Sequence, residues 1–571
     1  MKFAAGILLF AGLGATLGYG QTTNTPFQHV IVIVQENRTP DNLFGSSPRF
    51  EPGVNVSAYG LDTTGNSIPL QPRPLSDCYN PYHSHDKFTA MYANGAMDGA
   101  GNIGISKYEN CDVSGLGNYP ELVYVQNPSP QGPGSAYNVQ PYFDIATHYG
   151  FANYMFQTNQ GPSFPAHQFL LSGTSAPTYY NDLGDNGYKW WQWFAEDNAS
   201  NDDDLYGCVS PQGAYAPQIS YGGTEYLDCT QKGELCYTPP DPPYAGAGFP
   251  CYEHPTMTDL LDTNGFNGQS QISWEYYGVS MKYIWDAPDA IDDICQPEQV
   301  NGVWKCTGVH FTTNTNANGQ VYLGNPAQIF NDISSCNLAN VSWVIPYGQW
   351  SDHSGNSEGW DNLGYGPSWV ADIVDAVGEN AACQGTKELY WNDTVILITW
   401  DDWGGYSDHV LPYNCDSGGN CIGYGTNDKN TSGQYYVYGF RVPLLVVSAY
   451  TPPGYVSGPV SDPNNLPTAC PKTGTLYPYC HDFGSILNFI EYVFGSNGSP
   501  LPEIDNAYGY HYADYYAPDY KPPTFAYSLS DFFNFPLYQN NPRTFLPITS
   551  APLPASFFLT YNADPTGPDD D

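Results

Sequence analysis

Residues 29–38 read HVIVIVQENR. The β-branched run from Val30 to Val34 is too short for a helix and fits a strand buried on both faces. It passes without a turn signal into Gln35, Glu36, Asn37 and Arg38. In open parallel sheets ligands bind beyond the carboxyl ends of the strands. A carboxylate and an amide placed there can hold a cation or a phosphate, although a plain polar turn would read the same way.

Working outward, four more apolar runs have strand length: residues 272–277 (ISWEYY), 341–345 (VSWVI), 394–400 (TVILITW) and 442–448 (VPLLVVS). Helical periodicity covers residues 164–172, 256–264, 368–377 and 483–494. Strands that alternate with helices predict an α/β fold, with a mostly parallel central sheet and helices on both faces. Residues 198–255 break the rhythm. They are rich in Cys, Pro, Gly and Tyr and read as a disulfide-stapled insertion. Residues 21–497 then form the main domain, and the Pro- and Tyr-rich stretch 498–571 is an extension wrapping its surface.

Residues 1–20 have the basic start, short apolar run and small-residue end of a secretory signal peptide. A membrane anchor is the alternative, but the run is short for a bilayer span. An exported chain with an even number of cysteines, 14, points to disulfides. Cys295 and Cys306, Cys415 and Cys421, and Cys470 and Cys480 are close enough for local staples, and none has zinc-ribbon spacing. The expected location is secreted or periplasmic, without stable membrane insertion. With 16 Lys and Arg against 57 Asp and Glu, the net charge of −41 disfavours nucleic acid and anionic membranes. Such a surface suits an acidic medium. The sequence leaves the oligomeric state unknown.

Three further segments carry chemistry. Asp401-Asp402-Trp403-Gly404-Gly405 follows the run at 394–400. Adjacent carboxylates at a strand end need compensation, and a divalent metal supplies it. The glycines would let the backbone turn so that both carboxylates face one point; an exposed acidic turn is the plainer reading. Ser163, in Gly161-Pro162-Ser163, opens a helix where backbone N–H groups favour negative charge. It is either a nucleophile or an ordinary N-cap. His83, His85, His353 and His409 lie in or near comparable segments. Protonated histidines can hold phosphate oxygens or protonate a leaving group, which favours turnover on the acid side.

Together the segments HVIVIVQENRTPDNLFG, NGAMDG, QGPSFPAHQFLLSGTS, SWEYYG, VSWVIP with SDH, ITWDDWGGYSDHV, FRVPLLVVSAY and HDFGSILNFIEYVFG resemble a bacterial phosphoesterase family. That family includes phosphatidylcholine phospholipases C and a secreted acid phosphatase, within the alkaline phosphatase superfamily. The segments occur in the family's order over most of residues 27–496. The resemblance implies an alkaline phosphatase-like fold and hydrolysis of a phosphate monoester or phospholipid through a phosphoserine on Ser163. It implies one divalent metal held by Asn37, Ser163, Asp401 and Asp402, with Glu36 beside it ordering the ligands. His353 matches the family's active-site histidine, and His83 fits the spacing to the MDG segment better than His85. Oxygen ligands favour Ca²⁺ or Mg²⁺, and a histidine ligand, for which His409 is close enough in sequence, would open the way to Zn²⁺. Phospholipase C-type members often read Asp-Glu-His where this chain has Asp401-Asp402-Trp403, a form closer to the acid phosphatase. The rival expectation is a non-catalytic secreted protein that binds glycans or a cell surface through its Tyr-rich loops.

Overall fold

In the computed structural model each of the five apolar runs is a strand. The structure describes residues 23–107, 111–127, 139–175, 193–195, 207–210, 214, 216–220, 226–227, 249–278, 284–308, 323–355, 364–379, 389–412, 438–460, 479–504, 512–520, 522–524 and 526–560. The signal peptide expected at 1–20 lies outside them.

Eight strands make the central sheet: β1 His29–Gln35, β2 Gly150–Ala152, β3 Trp274–Tyr277, β4 Leu323–Gly324, β5 Val341–Val344, β6 Thr394–Trp400, β7 Leu444–Ser448 and β8 Tyr455–Ser457. Their order is β4-β3-β5-β1-β6-β7-β2-β8. Only β7 runs antiparallel to its neighbours; every other pair is parallel. β1 lies between β5 and β6, so both its edges are paired and both its faces covered, which is why Val30 to Val34 is unbroken apolar sequence. The last run begins as a strand at Leu444, two residues later than its apolar pattern, because Pro443 has no N–H to give a ladder. β2, β4 and β8 span two or three residues, too few for a pattern to declare itself.

The helices that matter below are α1 Pro40–Phe44, α2 His85–Tyr92, α3 Gln140–His148, α4 Ser163–Ser172, α5 Met257–Thr263, α6 Gly366–Glu379 and α7 Phe483–Phe494. α5 and α7 start at capping boxes, Thr256 with Asp259 and Asp482 with Ser485. Helices cover both faces of the sheet, as side-chain alternation reveals. Tyr276 and Trp343 are register partners on β3 and β5, and the Trp343 indole donates to the Leu170 carbonyl of α4. Tyr277, one residue on, points the other way and donates to Asp332 in the helix Gln328–Ser334, which packs on α6.

Residues of the C-terminal stretch join the main core. Phe532, Phe533, Ile548 and Phe558 are buried in it, and the Trp391 indole donates to the Arg543 carbonyl at 2.6 Å. Cys295 and Cys306 are bonded, stapling the hairpin of Pro297–Val300 and Val303–Cys306. Cys78–Cys111 and Cys208–Cys251 close longer loops, the second within the region 198–255. Cys480 is also disulfide-bonded, whereas Cys415, Cys421 and Cys470 lie outside the described residues. None of the helices among the described residues is long and apolar enough to cross a membrane.

Candidate active site

β1 and β6 are parallel and in register through their last residues, Gln35 opposite Trp400. The next residues, Glu36 and Asp401, therefore leave the sheet side by side. The Asn37 N–H donates to Asp401 Oδ1 at 2.9 Å, and the Asp402 N–H donates to the same oxygen at 2.7 Å. Asn37 makes this possible by adopting a left-handed φ of 63°, which asparagine tolerates better than most residues. Gly404 has φ +60°, and its N–H donates to Asp402 Oδ1 at 2.6 Å. A Cβ there would stand 2.2 Å from the Asn37 carbonyl oxygen, so the turn admits only glycine. This close passage of two backbones fixes the turn from which Asp401 and Asp402 project.

Ser163 is the first residue of α4, with Pro162 in the N-cap position and no side-chain capping bond. The ordinary N-cap reading therefore fails. Its Oγ lies 3.3 Å from Asp402 Oδ2 and 3.5 Å from Glu36 Oε2. One turn along the helix, His167 Nε2 is 3.2 Å from Glu36 Oε1 and 3.8 Å from Asp401 Oδ2. The motif SFPAH carries that signal, since positions four apart share a helix face.

His83 joins the cluster. Its Nδ1 faces the Pro81 carbonyl at 2.8 Å, and because a carbonyl only accepts, Nδ1 carries the proton. Nε2 is then presented to the Asn37 amide at 3.1 Å and lies 3.9 Å from Asp402 Oδ2. His353 follows β5 and is held the same way, its Nδ1 donating to the Ser354 carbonyl at 2.7 Å. The rings of His83 and His353 are 6.2 Å apart between centroids. His85 opens α2, two residues beyond the histidine that meets the carboxylates.

Asp352, beside His353, is gripped from three sides. Its N–H donates to Gln35, its carbonyl accepts from Arg38, and its carboxylate accepts from Trp400. Burial pushes its carboxyl up to about 6 in spite of Arg38. Arg38 is itself buried, and its guanidinium also reaches the Leu75 carbonyl and Asn42, tying the loop after β1 to the SDH segment. Trp403, one of the two residues that depart from the phospholipase C pattern, is an anchor: it packs edge-on to Phe440 at 4.9 Å and to Phe88 of α2 at 6.4 Å.

His409 goes elsewhere. Its Nδ1 meets Asp41 at 2.6 Å and its Nε2 meets Asn55 at 3.0 Å. Asp41 and Asp408 share the buried guanidinium of Arg441, which holds Asp408 through two bonds of 2.9 Å. This network uses both ring nitrogens, so neither is directed at the carboxylate cluster.

Glu36, Asn37, Ser163, Asp401 and Asp402 are all fully buried. Asn37 Oδ1 and Asp401 Oδ2 accept no hydrogen bond among the described residues. Oxygens of Glu36 and Asp401 lie with His167 Nε2 in one cluster, and buried carboxylates with unsatisfied oxygens are compensated by a cation, so the donors present fit a divalent metal.

A serine hydroxyl facing buried carboxylates and imidazoles at the carboxyl edge of a parallel sheet is the equipment of a hydrolase. The Phosphoesterase family model matches residues 27–497, and the chain belongs to that family. Among curated relatives, it is 28% identical to a non-hemolytic phospholipase C of Pseudomonas aeruginosa over 195 residues, 30% of this chain and 26% of that protein. It is 21% identical to the hemolytic phospholipase C of the same species over 454 residues, 76% of this chain and 51% of that protein. A non-hemolytic phospholipase C of Burkholderia pseudomallei is 28% identical over 27% of the chain and 21% of that protein. The chain thus spans about half the length of these relatives or less.

Proposed function

We propose that this protein hydrolyses phosphate esters through a phosphoserine formed on Ser163, as an exported acid phosphatase or phospholipase C with an alkaline phosphatase-like fold. The observation that carries the reading is the direction of the Ser163 hydroxyl. From the first helical position, with Pro162 in the capping position, it faces Asp402 and Glu36.

Asn37, Asp401, Asp402 and Ser163, with Glu36 beside them, would hold the divalent ion. When bound, that ion supplies Lewis-acid stabilisation of phosphoryl charge and of the serine alkoxide. The serine proton passes to a neighbouring carboxylate, and Oγ forms the bond to phosphorus as the ester oxygen departs. His83 or His353, in its protonated imidazolium form, gives the leaving oxygen its proton. Water then attacks the phosphoserine and returns the serine with release of phosphate or phosphomonoester. α4 aids the first step because its N-terminal N–H groups favour the charge that develops at its start. The disulfides and the expected leader support export.

Turnover assays on a chromogenic phosphate monoester and on a choline-headed phosphodiester, each with and without chelator, test this. Hydrolysis of the monoester assigns the phosphatase type, and hydrolysis of the diester the phospholipase C type. Turnover of neither favours the non-catalytic surface-binding protein.

A further inference from the structure

We propose that His167 is itself a ligand of the ion. It would convert an oxygen site into a mixed nitrogen–oxygen site that prefers a zinc-, iron- or cobalt-like ion to Ca²⁺ or Mg²⁺. The inference rests on the phosphoesterase reading of this site and deepens it.

Placement comes first. Ser163 and His167 are four residues apart on α4, so the face that aims Oγ at Asp402 also aims the imidazole at Glu36 and Asp401. His167 is 1% exposed and lies among fully buried carboxylates.

Spacing comes second. Nε2 of His167, an oxygen of Glu36 and an oxygen of Asp401 all lie within 4.8 Å of one another. Nitrogen and oxygen ligands about 2.1 Å from a shared ion stand roughly 3–4 Å apart. The observed separations of 3.2 and 3.8 Å fall in that range.

The alternative is an imidazolium that merely holds Glu36 in place. His167 does hydrogen-bond Glu36, but at 3.2 Å, longer than the roughly 2.7–2.9 Å of a tight charge-assisted bond. Nε2 is instead shared loosely between two carboxylates, one of which, through Asp401 Oδ2, accepts no hydrogen bond. Donors drawn together by a shared ion would have this spacing. Imidazole among carboxylates then shifts preference toward borderline ions, whereas oxygen alone suits Ca²⁺ and Mg²⁺.

The test uses the full-length protein, stripped of metal, reloaded with Mn²⁺ and produced with ¹⁵N-labelled histidine. Pulsed electron paramagnetic resonance should show hyperfine coupling from a directly bonded imidazole nitrogen, and His167→Gln should lose it. In competition binding, the Zn²⁺ over Ca²⁺ preference of the protein should fall by on the order of tenfold or more in His167→Gln. Absence of nitrogen coupling in the unmodified protein overturns the proposal without recourse to any variant. Coupling that persists in a folded His167→Gln also overturns it and moves the ligand to another histidine, with His83 next to test. Phosphate ester turnover without nitrogen coupling would sink this inference and leave the function standing. Nitrogen coupling without turnover would do the reverse.

Discussion

Gln35 and Trp400 are register partners at the ends of two adjacent parallel strands, and the placement of the carboxylates beyond them follows from that pairing. It sends Glu36 and Asp401 out of the sheet together, lets the Asn37 N–H reach Asp401, and leaves Asp402 to meet Ser163. A slip of one residue would turn each of these side chains to the wrong face.

Ser163→Ala should abolish turnover and leave the fold intact. Ser163 makes no capping bond, and its two side-chain contacts are long, 3.3 and 3.5 Å. Their loss should cost about 1 kcal/mol or less of stability. Denaturant unfolding beside a turnover assay checks both halves; a variant with near-normal turnover refutes the nucleophile assignment.

Asp402→Asn should weaken metal retention and activity together. Asparagine keeps the Oδ1 that accepts from Gly404 but loses the negative charge beside Ser163. Metal content by elemental analysis and rate should both fall by about tenfold or more. The unmodified protein should lose activity on chelation and regain it on reloading. A chelated protein that stays fully active contradicts this.

Gly404→Ala should damage the site through the backbone. The new methyl group would stand 2.2 Å from the Asn37 carbonyl oxygen at a φ of +60°, so Asn37 must move. The expected cost is about 1–3 kcal/mol of stability, with metal retention reduced as well. Normal metal content in this variant would show that the close passage does not hold the ligands.

Stability should fall as pH rises past neutrality. Burial lifts the carboxyls of Glu275 to about 9, Asp372 to about 8 and Asp482 to about 7. A carboxyl whose folded value is raised folds preferentially in its protonated form. The stability it contributes is complete below its unfolded value, near 4, and is lost as pH climbs to the folded one. His481 works in the same direction. Burial opposes its charge, but Asp531 and Asp519 raise it, so its contribution also disappears toward high pH. Burial holds His29 and His254 down to about 4, and these work the other way between about pH 4 and 6.5. Melting temperatures between about pH 7 and 9 should therefore decline, and Glu275→Gln should flatten part of that decline. A melting temperature that rises over this range contradicts the reading.

The strands and helices were legible because their sequences obey simple periods: Val30 to Val34 unbroken, Thr394 to Trp400 ending at two carboxylates, 483–494 with an apolar stripe. The carboxylate cluster was legible because it sits at strand ends. What escaped was long-range. Nothing local shows that His409 would be drawn to Asp41, 368 positions away in sequence, or that Arg441 would pair with Asp408. His167 was hidden in plain helical spacing behind a more conspicuous serine. Trp403 is intelligible only once Phe88 and Phe440 arrive from distant segments to pack it.

The most direct test of the account is to find the phosphoryl group itself. Reactions with a phosphate ester are quenched in acid during turnover, the protein is digested, and peptides are sequenced by mass spectrometry. A phosphoryl group should appear on Ser163 only with substrate and be absent from Ser163→Ala. Steady turnover with Ser163 unmodified at every quench time, or phosphate carried on another residue, would contradict it.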